Sequence, residues 1–181
     1  MPRLIILLSL ALLHACASQR HGELYQLDLP SYTALNCCWQ SQESIQISSG
    51  EHTTEILSVL ELVKDHLTIV ILDPLGQRLA AFRQDASGLQ TLAAPDDWDP
   101  RLSKQMLLAI YLDQLSASGW QFTQTGWAAD ITEQTRTLRY RDNIKLTINY
   151  DGNGLSERRR RIDFTGQPLT LEIQTISRTA L

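Results

Sequence analysis

The side chains able to do chemistry in this 181-residue chain are few and widely spaced. His21, His52 and His66 have no partner at metal-ligand spacing, no Gly-x-Ser-x-Gly elbow presents a nucleophile, and no glycine-rich loop opens a helix to cradle phosphate. The expectation is a protein that is not an enzyme and uses neither metal nor cofactor. Two clusters remain. Cys37 and Cys38 are neighbours, and three states are compatible with them: buried small apolar residues, an intermolecular bridge, or a vicinal disulfide, the last disfavoured because bridged α-carbons prefer to lie further apart. Arg158, Arg159, Arg160 and Arg161 form the other. On a strand they alternate, so Arg158 and Arg160 share a face with Ile162 and Phe164. Two readings stay open, an anionic head group held by bidentate hydrogen bonds to Arg158 or Arg160, and a solvated edge strand that uses charge against aggregation.

A third reactive group is the thiol of Cys16. The chain starts Met1-Pro2-Arg3 and then runs apolar over residues 4–13, a charged start and hydrophobic stretch of secretory length. The run is too short to span a bilayer, which takes roughly 20 apolar residues. It ends in Leu13-His14-Ala15-Cys16, which resembles the bacterial lipoprotein box. That resemblance implies cleavage after residue 15, diacylglycerol on the Cys16 thiol and an acyl chain on its new amino group. Ala17 and Ser18 follow where an inner-membrane retention signal would place aspartate, so the expected address is the periplasmic face of the outer membrane. Removal of residues 1–15 takes away one basic residue, Arg3, and leaves 15 basic against 20 acidic. That balance argues against nucleic-acid binding. Residues 16–30 read as a lipidated N-terminus and flexible tether, and residues 31–181 as a single domain.

Within that domain the hydropathy pattern is mainly that of β-strands. Residues 36–48, 53–63, 67–72, 77–83 and 89–93 form a predicted meander, broken by Asp73-Pro74-Leu75-Gly76 and Asp85-Ala86-Ser87-Gly88, both turn compositions. Asp99 then caps a helix with Pro100 at its first position, predicted to run to about Ser118 and to end at Gly119. Apolar residues wrap most of that helix, which predicts a helix covered on two sides. After Trp120 the β pattern returns. Residues 144–150, 157–164 and 169–175 form a second meander through the turns Asp151-Gly152-Asn153-Gly154 and Thr165-Gly166-Gln167-Pro168. The expected fold is therefore mainly β with α, a curved antiparallel sheet or half-open barrel covered or plugged by a central helix.

Residues 67–76, an apolar strand running into Asp73-Pro74-Leu75-Gly76, resemble the strand and Asn-Pro-Leu-Gly turn of LolB, the outer-membrane receptor that accepts lipoproteins from the periplasmic carrier LolA. The lipoprotein box, the Gly76-Gln77-Arg78-Leu79 run, the single helix and the closing hairpin are similar to a family of short proteobacterial lipoproteins of unknown function with a LolA/LolB-like fold, often accompanying aryl-polyene biosynthesis genes. The resemblance implies a concave apolar surface that binds acyl chains, a membrane-facing turn leucine, here Leu75, and a periplasmic carrier protein as partner. A turn that instead folds Leu75 back onto the sheet is equally compatible with the residues.

The expected cavity residues are Trp39, Met106, Ile110, Tyr111, Leu138, Tyr140, Leu146, Ile148, Phe164 and Leu171, with Ile144, Ile162, Leu169 and Ile173 on the same faces. About half of them are expected to be core packing. Two functions follow as expectations. One is binding and transfer of a hydrophobic or acylated ligand, such as lipoprotein acyl chains or an aryl-polyene or other lipid. The other is a structural or assembly lipoprotein that docks a protein partner. A cavity of several hundred Å³ separates them.

Overall fold

The computed structural model describes residues 22–151 and 159–181. Cys16, Arg158 and most of the residue 151–154 turn lie outside the described residues. Ten strands follow one short helix: β1 (Trp39–Ser49), β2 (His52–Leu62), β3 (Leu67–Leu72), β4 (Arg78–Asp85) and β5 (Gly88–Ala93), then β6 (Trp127–Ile131), β7 (Thr135–Tyr140), β8 (Asn143–Asp151), β9 (Arg159–Phe164) and β10 (Leu169–Ala180). The helices are α1 (Gly22–Gln26) and α2 (Pro100–Gln114). All strands join one antiparallel sheet in the order β5-β4-β3-β2-β1-β10-β9-β8-β7-β6. The sheet is open, because β5 and β6 are its two edges. No helix among the described residues is long and apolar enough to cross a membrane.

The two meanders meet where β10 pairs with β1, from Trp39 opposite Ala180 to Ser49 opposite Leu169. This pairing extends β10 to Ala180, five residues beyond the strand predicted from alternation alone. With every neighbour antiparallel, the odd-numbered strands all run one way. The turns after β1, β3, β7 and β9 therefore share one end of the sheet, together with the start of α2.

Period-2 alternation selects the packed face. On β3, Leu67, Ile69 and Ile71 are buried and Thr68, Val70 and Leu72 are half-buried. Leu138, Leu146, Ile148, Ile162 and Phe164 supply the other half of the core. Asp99 caps α2 by accepting from the Arg101 N–H at 2.9 Å, with Pro100 in the first turn. No residue from Ser103 to Leu115 is exposed. The helix stops at Gln114, short of the expected Ser118, because Leu115 turns extended and its N–H bonds back to Tyr111 O. Residues Ala117–Gly119 form a separate 3-10 turn.

The largest departure from expectation is at the N-terminus. Residues 22–30 read as a polar, mobile tether, yet they hold α1 and bury Leu24 and Leu27 in the common core. Lys104 Nζ donates to Tyr25 O at 2.6 Å, Gln105 Nε2 to Tyr25 Oη at 2.9 Å, and Gln124 Nε2 to Gln26 O at 2.8 Å. Leu24 on the short helix and Leu27 just after it dock the segment, and its polar residues face partners that only the fold supplies. Any tether is thus limited to residues before Gly22.

Leu146 tests the shared core. It is fully buried on β8, between Leu138 of β7 and Phe164 of β9. Leu146→Ala should cost about 2–5 kcal/mol by the cavity it leaves, read as a lower urea midpoint with an unchanged m-value.

Candidate functional site

Between α2 and the packed face of β1, β2, β3, β9 and β10 lies an apolar chamber of about 50 Å³. Of the ten expected cavity residues, Trp39, Met106, Ile110 and Leu171 line it, as do Ile162 and Ile173. Tyr111, Leu138, Leu146, Ile148 and Phe164 are buried in the surrounding core, and Tyr140 packs on Trp127 with ring centroids 5.1 Å apart. These six do not border the chamber. Ile144 is exposed at 44 %. Facial periodicity identifies a packed face but not which part of it faces a void, which explains the division.

The polar end of the chamber carries residues that the sequence pattern left unmarked: Glu43, Ser58, Asp113 and Gln114. Arg160 on β9 lies opposite Tyr150 of β8 and Ile173 of β10, on the inner face. Its Nη2 donates to Glu43 Oε1 at 2.5 Å and its Nη1 to Thr175 Oγ1 at 3.1 Å. Its Nε lies 3.5 Å from Asp113 Oδ2. Asp113 also accepts from the Tyr150 hydroxyl at 2.6 Å and from Gln114 Nε2 at 2.6 Å. The side chains of Arg160, Glu43 and Asp113 are no more than 8 % exposed.

Arg160, a candidate anion holder from its place in the sequence, is thus buried against carboxylates. One guanidinium faces two carboxylates, so the buried cluster carries a net negative charge. Burial alone pushes the Arg160 pKa down, but the charges of Asp113 and Glu43 outweigh it and hold the guanidinium above the ordinary arginine value. A further anion would meet net repulsion in a medium where charges are weakly screened. Arg159 and Arg161 point to the opposite face, where Arg161 pairs with Asp163 at 3.2 Å and Glu172 at 3.7 Å. They border an open polar groove there.

The sheet holds the two ends of α2 differently. At its C-terminal end, Arg136 Nη1 donates to the carbonyls of Leu112 and Leu115 at 2.9 and 2.8 Å, closing carbonyls that the helix cannot satisfy itself. Tyr111 donates to Gln84 Oε1 at 2.5 Å, and Gln84 Nε2 donates to Pro30 O at 3.0 Å. The Asp113 cluster lies at the same end. Polar contacts of the N-terminal half run to α1, through Lys104, Gln105 and the Arg101 guanidinium 5.5 Å from the Tyr25 ring centroid, and to Trp98, whose Nε1 donates to Ser103 Oγ at 3.0 Å.

Leu75 stands in the β3–β4 turn and is 85 % exposed, so the alternative in which it folds back onto the sheet does not hold. Asp73 Oδ1 accepts from the N–H groups of Leu75 at 2.9 Å and Gln77 at 2.8 Å, and Gly76 adopts φ +82°. The side-chain acceptor and the left-handed glycine together build a rigid turn that projects the leucine outward. Cys37 and Cys38 are disulfide-bonded to each other, with Cys37 exposed, which removes the reading as buried apolar residues. Among the described residues no group of three or more His, Cys, Asp or Glu could hold a metal.

An open ten-stranded antiparallel sheet with one long helix packed on it, and a charged cluster buried between them, defines a mostly-β protein of a single sheet. Its family follows from sequence: residues 40–177 match the model of DUF3261, described as a protein of unknown function, and the chain belongs to that family. The matched segment begins and ends within β1 and β10, so it takes in the whole sheet. No curated protein matches the chain.

The ion cluster provides a direct test. Arg160→Met leaves Glu43 and Asp113 buried without their cation and should cost about 3–5 kcal/mol. Adding Glu43→Gln should recover part of the loss, measured as a non-additive double-mutant cycle in urea.

Proposed function

We propose that this protein is a lipid-anchored carrier of the outer membrane that binds a hydrophobic or acylated ligand between α2 and the sheet and helps to transfer it. The observation that carries the reading is the apolar chamber under α2, lined by Trp39, Met106, Ile110, Leu171 and their neighbours. At about 50 Å³ it is small, against roughly 300–1,000 Å³ for a ligand pocket. Entry of a chain therefore requires α2 to lift. The asymmetric attachment of α2 supports lifting of its N-terminal half, with the C-terminal end as the pivot. In this reading α2 is the lid of a half-open, LolA/LolB-like barrel.

The remaining parts fit the same reading. Gln167 in the β9–β10 turn donates to Tyr25 Oη at 3.4 Å, which supports α1 lying at the end of the sheet that also bears the β3–β4 turn. Lipidated Cys16 is six residues before Gly22, a span of roughly 20 Å at most. The anchor and the Leu75 tip would then face the same bilayer. The resemblance to LolB, and to lipoproteins encoded beside aryl-polyene genes, supports an acylated or polyene-like ligand, with a periplasmic carrier protein as donor.

A second reading is a non-enzymatic assembly lipoprotein that docks a protein partner. The small volume of the chamber favours it, because a filled core is what a purely structural domain needs. The two are separated by Ile110→Trp, which fills the chamber. In the carrier reading the wild-type protein, extracted from membranes, retains hydrophobic ligand detectable by native mass spectrometry, and Ile110→Trp loses at least tenfold of it while still folding. Equal ligand mass in both, or none in either, supports the structural reading. Leu75→Glu should leave the melting temperature within a degree or two of wild type but abolish delivery of bound ligand to acceptor vesicles. Unchanged delivery removes the membrane role of Leu75.

A further inference from the structure

The polar end of the chamber holds buried carboxylates and an unpartnered hydroxyl that together specify what it would accept. Ser58 is 2 % exposed, and its hydroxyl oxygen has no hydrogen-bond partner although it borders the chamber. Such groups are rare in a folded core and mark either a bound partner or a cost. Ser58 lies opposite Glu43 in the β1–β2 ladder, so the unpartnered hydroxyl stands beside a buried carboxylate. Arg160 donates to Glu43 and Thr175, and its Nε, without a hydrogen bond, lies 3.5 Å from Asp113, so these three buried side chains bring one guanidinium and two carboxylates together; the more exposed Arg178 donates to Gln114 and lies over Trp39.

Because the contacts of Arg136, Tyr111, Tyr150 and Arg160 all hold the C-terminal end of α2, Asp113 stays in place when the N-terminal half lifts. The far end of the opened chamber then keeps the Glu43 and Asp113 carboxylates. We infer that this end is a head-group subsite selective for hydrophobic ligands whose polar tip donates hydrogen bonds and bears no negative charge, an alcohol, an amide or an ammonium. Ser58 Oγ and the Glu43 carboxylate would accept from that tip, and the ligand's carbon chain would run along Ile45, Leu60 and Ile69 towards Met106. A carboxylate or phosphate tip would meet the Glu43 and Asp113 carboxylates, with Arg160 Nη1 and Nη2 already donating to Thr175 and Glu43 and its Nε facing Asp113. The inference rests on the carrier reading above, and it assigns to that chamber a head-group preference opposite to the one expected from an arginine on a concave face.

The test uses the full-length lipidated protein held in amphipol and three matched C14 probes, tetradecanol, tetradecylamine and tetradecanoate, each with a mid-chain diazirine. At about pH 9 the acid is ionised and the amine still largely charged. Photolabelling of peptides that contain Met106, Ile110 or Ile162 reports occupancy of the chamber. The alcohol and the amine should reach half-maximal labelling at a concentration at least tenfold below that of tetradecanoate. Ser58→Ala should weaken the alcohol severalfold and leave tetradecanoate unchanged, and Glu43→Gln should narrow the gap between amine and carboxylate. Tetradecanoate labelling the same peptides as tightly as the other two overturns the head-group preference and leaves the carrier reading intact. Absence of chamber labelling by all three overturns both.

Discussion

The pairing of β10 with β1 is the constraint on which the rest of the molecule depends. Each meander is local, built from hairpins whose partners are near in sequence, and either could form a sheet of five strands. Only the β1–β10 ladder joins residues from the two ends of the chain and makes one continuous inner face. Its register sets Glu43 beside Thr175 and Ile45 beside Ile173. Through Ile173 opposite Arg160 it delivers the guanidinium of the second meander to the carboxylate of the first. A slip of one residue in that ladder would put Glu43 and Arg160 on opposite faces of the sheet.

A buried ion cluster is a poor source of net stability, since desolvation consumes most of the Coulombic gain. What it does supply here is orientation. Asp113 is the point at which α2 meets charges from both meanders, and a helix apolar on most of its circumference has few other reasons to prefer one rotation over another. Arg136 acts in the same sense, joining the last carbonyls of the helix to β7. At this end the polar contacts run to the sheet, whereas at the other end they run to Tyr25 of α1 and to Trp98. Movement of the N-terminal half away from the sheet would therefore have to carry α1 with it or break those bonds.

The segment before the first strand is part of the domain. Residues 22–30 are polar enough to read as linker, but Leu24 and Leu27 enter the same core as the strands, and Tyr25 makes contacts with Lys104, Gln105 and Gln167. The segment is short and has little helical periodicity to detect, and its partners are 79 to 142 residues away in sequence. Nothing local distinguishes it from a mobile tether. The strands were legible for the opposite reason. Alternation in residues 67–72, the Asp-Pro-Leu-Gly and Asp-Ala-Ser-Gly turns, and the Asp99-Pro100 start of the helix are all encoded within a few residues of where they act.

By itself the sequence determined the mainly β class, the capped helix of residues 100–114 and the Asp73–Gly76 turn, while leaving open whether Leu75 projects from it. Those are local properties, governed by side-chain period, backbone preference and capping. Tertiary structure alone decided which inward-facing residues border a void and which merely pack, and that Arg160 is neutralised by Glu43 and Asp113. It also decided that residues 22–30 belong to the core. Each of those depends on distances between residues far apart in the chain, which exist only once β10 has closed against β1 and α2 has been set on the face they share.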